Sequence, residues 1–305
     1  MAVLNRFLCL LLALVPLTTS AQKAKPGFGL PVAKSEFKQL VDGLSGDVQG
    51  RIGVSALLIE TGETVGYNAD ERFPMQSVYK FPIAMATLYA VDQGILTLDK
   101  PVNVSKEEYV SAEQHSPLRD RNPTGAAVSL RELLRLAVSE SDGSASDVLM
   151  RLVGGASAVM NYLWAIGITD VVVKNTEKEL GTANSVQYDN WATPAQATLL
   201  LKQFQEGKGL SAGSRALLMQ WMTETPTGLK RLKGQLPAGT VVAHKTGTSA
   251  TRDGITAATN DIGLITLPTG RHLAVAVFVA DAKADQATRE TVIAQIARKL
   301  WDRWN

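Results

Sequence analysis

Four short stretches of this chain carry side chains whose types and spacing could perform acyl transfer. Ser77-Val78-Tyr79-Lys80 sets a hydroxyl and an amine three residues apart, which on a helix puts them on one face about one turn apart. A serine hydroxyl is a weak nucleophile until a neighbour takes its proton, and a partly desolvated lysine held near other cations can do so. Ser141-Asp142-Gly143 supplies a second hydroxyl and Lys245-Thr246-Gly247 a second amine. Glu177, in Glu177-Lys178-Glu179-Leu180, supplies a carboxylate able to act as a general base on water. Each stretch also has an ordinary reading. Ser77 looks like a helix N-cap, Ser141-Asp142-Gly143 like a turn, and Glu177 like a solvated loop acid. Ser-x-x-Lys recurs at Ser20–Lys23 and Ser35–Lys38, so only the ordered set is informative.

The elements that must position these groups follow from hydrophobic patterning. Residues 22–34 form a Lys-, Pro- and Gly-rich lead, and Ser35 caps a helix running to about Val48. Gly53–Glu60 and Glu63–Tyr67 read as a hairpin joined at Thr61-Gly62. From about Gln76 to Gln220 the pattern is mostly helical, with helices expected over Ser77–Asp92, Ser129–Leu152, Ala156–Ile166, Pro194–Gln205 and Ser211–Thr223. Strand patterns return at Val241–Lys245, Thr259–Leu267 and His272–Ala280, and a last helix covers about Ala284–Trp304. The economical fold is α+β: an antiparallel sheet built from both chain termini, flanked by helices, with an inserted all-α subdomain. Its lobes would be residues 35–75 with 225–305, and residues 76–224, together one catalytic unit over 22–305. Active sites favour such seams, and the four motifs sit at lobe boundaries. Lys245 would lie on an edge strand lining the cleft.

Composition narrows the setting. Residues 1–21 read as a secretory signal peptide: Arg6 gives the positive start, Phe7–Leu17 is apolar, and Thr19-Ser20-Ala21 suits cleavage after Ala21. The apolar run is shorter than the roughly 18 residues a membrane span needs. A periplasmic or secreted chain with no stable membrane association is expected. The single cysteine, Cys9, falls inside that segment, so the mature chain has no disulfide, thiolate nucleophile or thiolate metal site. Removing residues 1–21 takes away only Arg6 and leaves 30 basic and 29 acidic residues, a balance with no nucleic-acid footprint. The cluster Lys230, Arg231 and Lys233 reads as solvated surface.

The ordered set Ser-x-x-Lys, Ser-Asp-Asn and Lys-Thr-Gly is a signature of class A β-lactamases and penicillin-binding proteins, matched here except that Gly143 replaces the Asn. From about Ser35 onward the chain resembles the class A serine β-lactamases. Phe73–Lys80, Val186–Trp191, Ala243–Ser249 and Ala258–Gly263 narrow the resemblance to the PER-like extended-spectrum branch. The resemblance implies the serine β-lactamase and penicillin-binding-protein transpeptidase fold, penicillin and cephalosporin substrates with oxyimino-cephalosporins among them, and sensitivity to mechanism-based β-lactam inhibitors. It makes Ser77 the acylated nucleophile, Lys80 part of its proton relay, and Ser141 the donor to the leaving nitrogen. Glu177 activates the hydrolytic water, and Lys245 supports Ser141. Thr246, Thr248 and Ser249 would bind the substrate carboxylate beside Gly247, with Arg231 as a second cation, although Arg231 also reads as surface charge. The N–H groups of Ser77 and Thr248 would form the oxyanion hole, and His115 would stand at the cleft mouth. No cofactor or metal is implied, and a monomer is the simplest case.

Five positions depart from the family pattern. Gly143 and Gly181 stand where Asn is usual, and Lys178 stands where many members have Pro. Asn175 and Asn190 stand where an Arg/Asp pair commonly closes the loop neck. The two glycines leave open a non-catalytic β-lactam sensor of the same fold; a penicillin-binding DD-peptidase is the other alternative, and Glu177 argues against it. Two other chemistries read poorly. Gly209-Leu210-Ser211-Ala212-Gly213, followed by Asp253 and His272, mimics an α/β-hydrolase elbow, but a helix precedes it where a strand is required. Ser211 is more simply an N-cap. His115, His244 and His272 lack metal-ligand spacing.

Overall fold

The computed structural model describes residues 33–305, so the signal-peptide reading of residues 1–21 lies outside the described residues. The chain opens with helix α1 (Ala33–Val48) and strands β1 (Arg51–Leu58), β2 (Thr64–Tyr67) and β3 (Phe73–Pro74). A 3-10 turn (Gln76–Tyr79) runs into α2 (Lys80–Asp92), followed by β4 (Pro101–Val104), α3 (Pro117–Arg121) and β5 (Ala126–Ser129). Helices α4 (Leu130–Ser139), α5 (Gly143–Val153) and α6 (Ala156–Ala165) come next, then β6 (Val171–Val172), α7 (Glu177–Leu180) and β7 (Trp191–Ala192). Helices α8 (Pro194–Gln205) and α9 (Ala212–Thr223) precede β8 (Val242–Thr248), β9 (Thr251–Arg252), β10 (Ile255–Thr266), β11 (His272–Ala282) and α10 (Gln286–Trp304).

The main sheet runs β2-β1-β11-β10-β8, with β9 hydrogen-bonded to β10, and its strand pairs are antiparallel. Strand β1 from the N-terminal half lies against β11 from the C-terminal end, Arg51 opposite Ala280 through Leu58 opposite Leu273. The sheet is thus assembled from both ends of the chain, and β8 is an edge. Strands β1, β10 and β11 are buried almost end to end, as expected when both faces are covered. On one face Val54, Val275 and Val277 meet Phe37 and Val41 of α1 and Ile293, Ile296 and Leu300 of α10. On the other, Ile262, Ala276 and Phe278 join the core of the helical half. Each such large apolar side chain contributes about 1.5–3 kcal/mol by burial.

Helix α2 is the spine of that half. Phe81, Ile83, Ala84, Met85 and Leu88 leave no solvent face over its first turns, which makes its N-terminal residue, Lys80, a fixed point. Three expectations need correction. Helix α1 begins at Ala33, two residues before the Ser35 expected to open it. The helix expected over Ser129–Leu152 is two helices, because Ser141 adopts a left-handed φ of 59° and Asp142 then caps α5 through the Ala145 N–H at 2.8 Å. The middle of the chain is not purely helical, since β4 and β5 pair as a two-stranded sheet.

Candidate active site

The break at Ser141, the 3-10 turn at Ser77, the edge strand β8 and the loop carrying α7 converge on a cleft of about 690 Å³. Ser77, Lys80, His115, Ser141, Glu177, Gly181, Arg231, Thr246, Thr248 and Ser249 all line it. Ser77 caps nothing: the turn's N-cap is Met75, without a side-chain cap bond. Its Oγ instead lies 3.0 Å from Lys80 Nζ. Lys80 is 1% exposed, and an ammonium has three N–H donors. They meet Ser77 Oγ, the Ser141 carbonyl at 2.7 Å and Glu177 Oε2 at 3.0 Å. The same carboxylate oxygen accepts the Tyr79 hydroxyl at 2.9 Å. Burial alone would raise the Glu177 carboxyl, but Lys80 and the Tyr79 bond more than offset it and hold the group below the usual range. Burial, with Glu177 beside it, pushes the Tyr79 hydroxyl well above 10.0, so at neutral pH Tyr79 keeps the proton that it donates to Glu177.

Lys245 donates to Ser141 Oγ at 2.9 Å and to the Thr246 carbonyl at 3.0 Å. It is fully buried, and burial followed by the Lys80 charge pushes its ammonium well below 10.5. As expected, Lys245 sits on the edge strand of the sheet. Thr246 Oγ1 lies 2.8 Å from Thr227 Oγ1. The Ser249 N–H donates to Ala258 O at 3.0 Å, and its Oγ accepts the Ala258 N–H at 2.9 Å. Pairing alternates along an edge strand, so the Thr248 N–H points away from β10.

Arg231 is not the solvated charge its basic neighbours imply. It is 3% exposed, donates to Thr248 Oγ1 at 2.7 Å and to the Gly247 and Asn260 carbonyls, and meets Glu290 Oε1 at 3.2 Å. Gly247 does not line the cleft; a Cβ there would collide with the Met75 carbonyl, so the glycine lets β8 lie against the 3-10 turn. Gly143 is likewise buried behind the site, its N–H donating to His115 O at 2.9 Å. His115 is exposed at the mouth, with Nε2 2.9 Å from the Glu140 carbonyl.

Helix α7 is held mainly by residues that sequence reading missed. The Asp147 carboxylate, on α5, accepts the N–H groups of Glu177 at 2.6 Å and Lys178 at 2.9 Å. Burial pushes this carboxyl up to about 6 despite those bonds. From the cleft side, Gln114 Nε2 donates to the Glu177 carbonyl. The loop neck replaces an Arg/Asp pair with amide chemistry: Asn190 Oδ1 accepts the Lys174 and Asn175 N–H groups at 2.7 and 2.8 Å, and Nδ2 donates to Asn175 O at 2.8 Å. An ion pair survives one residue aside, Lys174 to Asp189 at 2.9 Å. Asp147 acts on backbone groups 30 and 31 residues further along the chain, so no local spacing in the sequence signals it.

The rival nucleophile is elsewhere. Ser211 caps α9 through the Ser214 N–H and bonds Asp92, while His272 pairs with Glu60.

A buried lysine on a serine, with a carboxylate against that lysine, has the make-up of a serine acyl-transfer site. Residues 33–304 match the Beta-lactamase enzyme family, and the chain belongs to it. Among its relatives, "Extended-spectrum beta-lactamase PER-1" of Pseudomonas aeruginosa is 40% identical over 300 residues, covering 98% of this chain and 94% of that protein. "Beta-lactamase VEB-1" of the same organism is 40% identical over 254 residues, covering 83% and 85%. The crystal structure of a β-lactamase from Chitinophaga pinensis superposes with a TM-score of 0.86 at 45% identity, over 88% of this chain and all of that one.

Proposed function

We propose that this protein hydrolyses the β-lactam amide of penicillins and cephalosporins, oxyimino-cephalosporins included, through an acyl-enzyme on Ser77. The observation that carries the reading is the chain of contacts from Ser77 Oγ through Lys80 Nζ to Glu177 Oε2, each step 3.0 Å. The extended-spectrum name of the 40% identical relative supports the oxyimino substrates.

In acylation Ser77 Oγ attacks the lactam carbonyl while its proton passes to the Lys80–Glu177 pair. The Ser77 N–H, in the first turn of a short helix where N–H groups lack internal acceptors, and the outward Thr248 N–H take the developing oxyanion. As the C–N bond breaks, the Ser141 hydroxyl passes a proton to the ring nitrogen and is replenished from the Lys80–Lys245 side. Thr246, Thr248 and Ser249 offer hydroxyls to the substrate carboxylate, with Lys245 and Arg231 supplying positive charge behind them. In deacylation Glu177 removes a proton from water, which attacks the ester and releases Ser77.

The same reading covers the remaining organisation: a signal peptide at residues 1–21 cleaved after Ala21, a periplasmic monomer, and lobes of 35–75 with 225–305 and 76–224. Among the described residues no helix is long and apolar enough to cross a membrane. A time course of chromogenic cephalosporin hydrolysis by residues 22–305, with substrate in large excess, tests the function. Sustained turnover that disappears in Ser77→Ala is the expected result. A single stoichiometric burst from the unaltered chain would instead make it a penicillin-binding protein or sensor.

A further inference from the structure

The two glycines that depart from the class A pattern are not gaps. A Cβ on Gly143 would stand 2.7 Å from Glu177 Cγ, so the bare Cα is what lets the carboxylate chain lie across the start of α5. A Cβ on Gly181 would stand 2.8 Å from both Cδ and Oε1 of Gln114 and 2.9 Å from its Nε2, so a whole amide rests on that Cα. The amide is oriented by its partners. Gln114 Oε1 accepts the Ser111 N–H at 3.2 Å, which leaves Nε2 to donate to the Glu177 carbonyl. The turn that carries Gln114 is itself clamped, because Arg119 Nη1 donates to the carbonyls of Val110, Ser111 and Gln114.

We propose that Gln114 is a positioning residue for Glu177 and that it works as a pair with Gly181. The inference rests on the hydrolytic reading above. Helix α7 has only four residues, too few to hold themselves in place, so Glu177 sits where the partners of α7 put it. Asp147 holds its N–H groups from the core and Gln114 holds a carbonyl from the cleft. Freeing the cleft side lets the carboxylate drift from the position that aims a water at the acyl-enzyme. Misplacement by about 1 Å can reduce a rate by about 100-fold. Acylation is less exposed to this drift, because Ser77 and Lys80 lie on the turn and α2.

The test measures acylation and deacylation separately, by following the acyl-enzyme with mass spectrometry. Gln114→Met keeps the bulk and removes the donor; Gly181→Ala displaces the amide. Each is expected to slow deacylation by about tenfold or more, with acylation within about threefold of the unaltered protein. The double variant Gln114→Ala/Gly181→Ala should be no slower than Gln114→Ala, since the new Cβ enters vacated space. Deacylation in Gln114→Met within about threefold of the unaltered protein, or an equal fall in both steps, would overturn the proposal. If the unaltered protein itself never deacylates, the hydrolytic reading has failed. Amide exchange at residues 177–181 in the free protein then decides: faster exchange in Gln114→Met upholds the positioning role and unchanged exchange removes it.

Discussion

Lys80 Nζ and Glu177 Oε2 lie 3.0 Å apart, and the carboxylate is held low by that lysine and by Tyr79. A base held below the usual carboxylate range stays ionised through mildly acidic pH, ready to accept a proton from water. Glu177→Gln keeps the shape and an acceptor for the Tyr79 hydroxyl but cannot take that proton. Ester hydrolysis should fall by at least about 100-fold, the low end of what a positioned base contributes. The acyl-enzyme should then persist in mass spectra of the variant soaked with a cephalosporin. Prompt release of product by Glu177→Gln would remove Glu177 from the reaction.

Lys245 makes a second pH-dependent statement. Its ammonium is pushed well below 10.5 by burial and then by Lys80, so the charge that supports Ser141 is lost at a pH below the ordinary lysine range. The basic limb of kcat/KM for carboxylate-bearing substrates should therefore fall below 10.5. Lys245→Arg carries a guanidinium that stays protonated. Its limb should move upward, at a lower peak rate because the fork does not reproduce the 2.9 Å contact to Ser141. A pH–rate profile with an unmoved limb in Lys245→Arg would assign that limb to another group.

Asp147 trades stability for placement. Burial raises its carboxyl from 3.8 to about 6, so between those values the folded chain binds a proton that the unfolded chain does not. Stability contributed by this group therefore rises as pH falls through that window and is lowest above it. Asp147→Asn removes the charge and should be more stable than the unaltered chain at pH 8 by at most about 3 kcal/mol, with the gap closing by pH 4. It should also turn over more slowly, because an amide facing the Lys178 N–H cannot accept both bonds of α7. Thermal unfolding of both proteins across pH 4–8 reads the sign directly.

The chemistry was far more legible in the sequence than its support. Ser77, Lys80, Ser141, Glu177 and Lys245 announce themselves because motif order survives any ignorance of geometry. The sheet from both termini follows from strand patterns at the two ends, and Ser211 caps α9 as its place before a helical pattern implies. The break at Ser141 was not visible, because its left-handed φ is imposed by tertiary contacts and serine carries no mark of it. Arg231 looked like surface because its carboxylate partner, Glu290, lies far along the chain on α10. Gln114 and Asp147 act through backbone groups of a distant loop, and no local spacing encodes such a contact.

Gly143 separates pattern from physics most sharply. Family resemblance makes Gly143→Asn look like a repair that restores the usual side chain. The geometry argues the reverse: the new Cβ would stand 2.7 Å from Glu177 Cγ, 3.2 Å from the His115 carbonyl and 3.4 Å from Val110 Cγ1. The carbonyl and the packed valine cannot retreat far, so the Glu177 chain must give way. Overpacking of this kind typically destabilises by about 1–3 kcal/mol, and here the displaced group is the one proposed to activate water. Gly143→Asn should therefore lower the melting temperature and slow deacylation more than acylation. A variant that gains turnover without losing stability would mean that Glu177 has room that these contacts deny it.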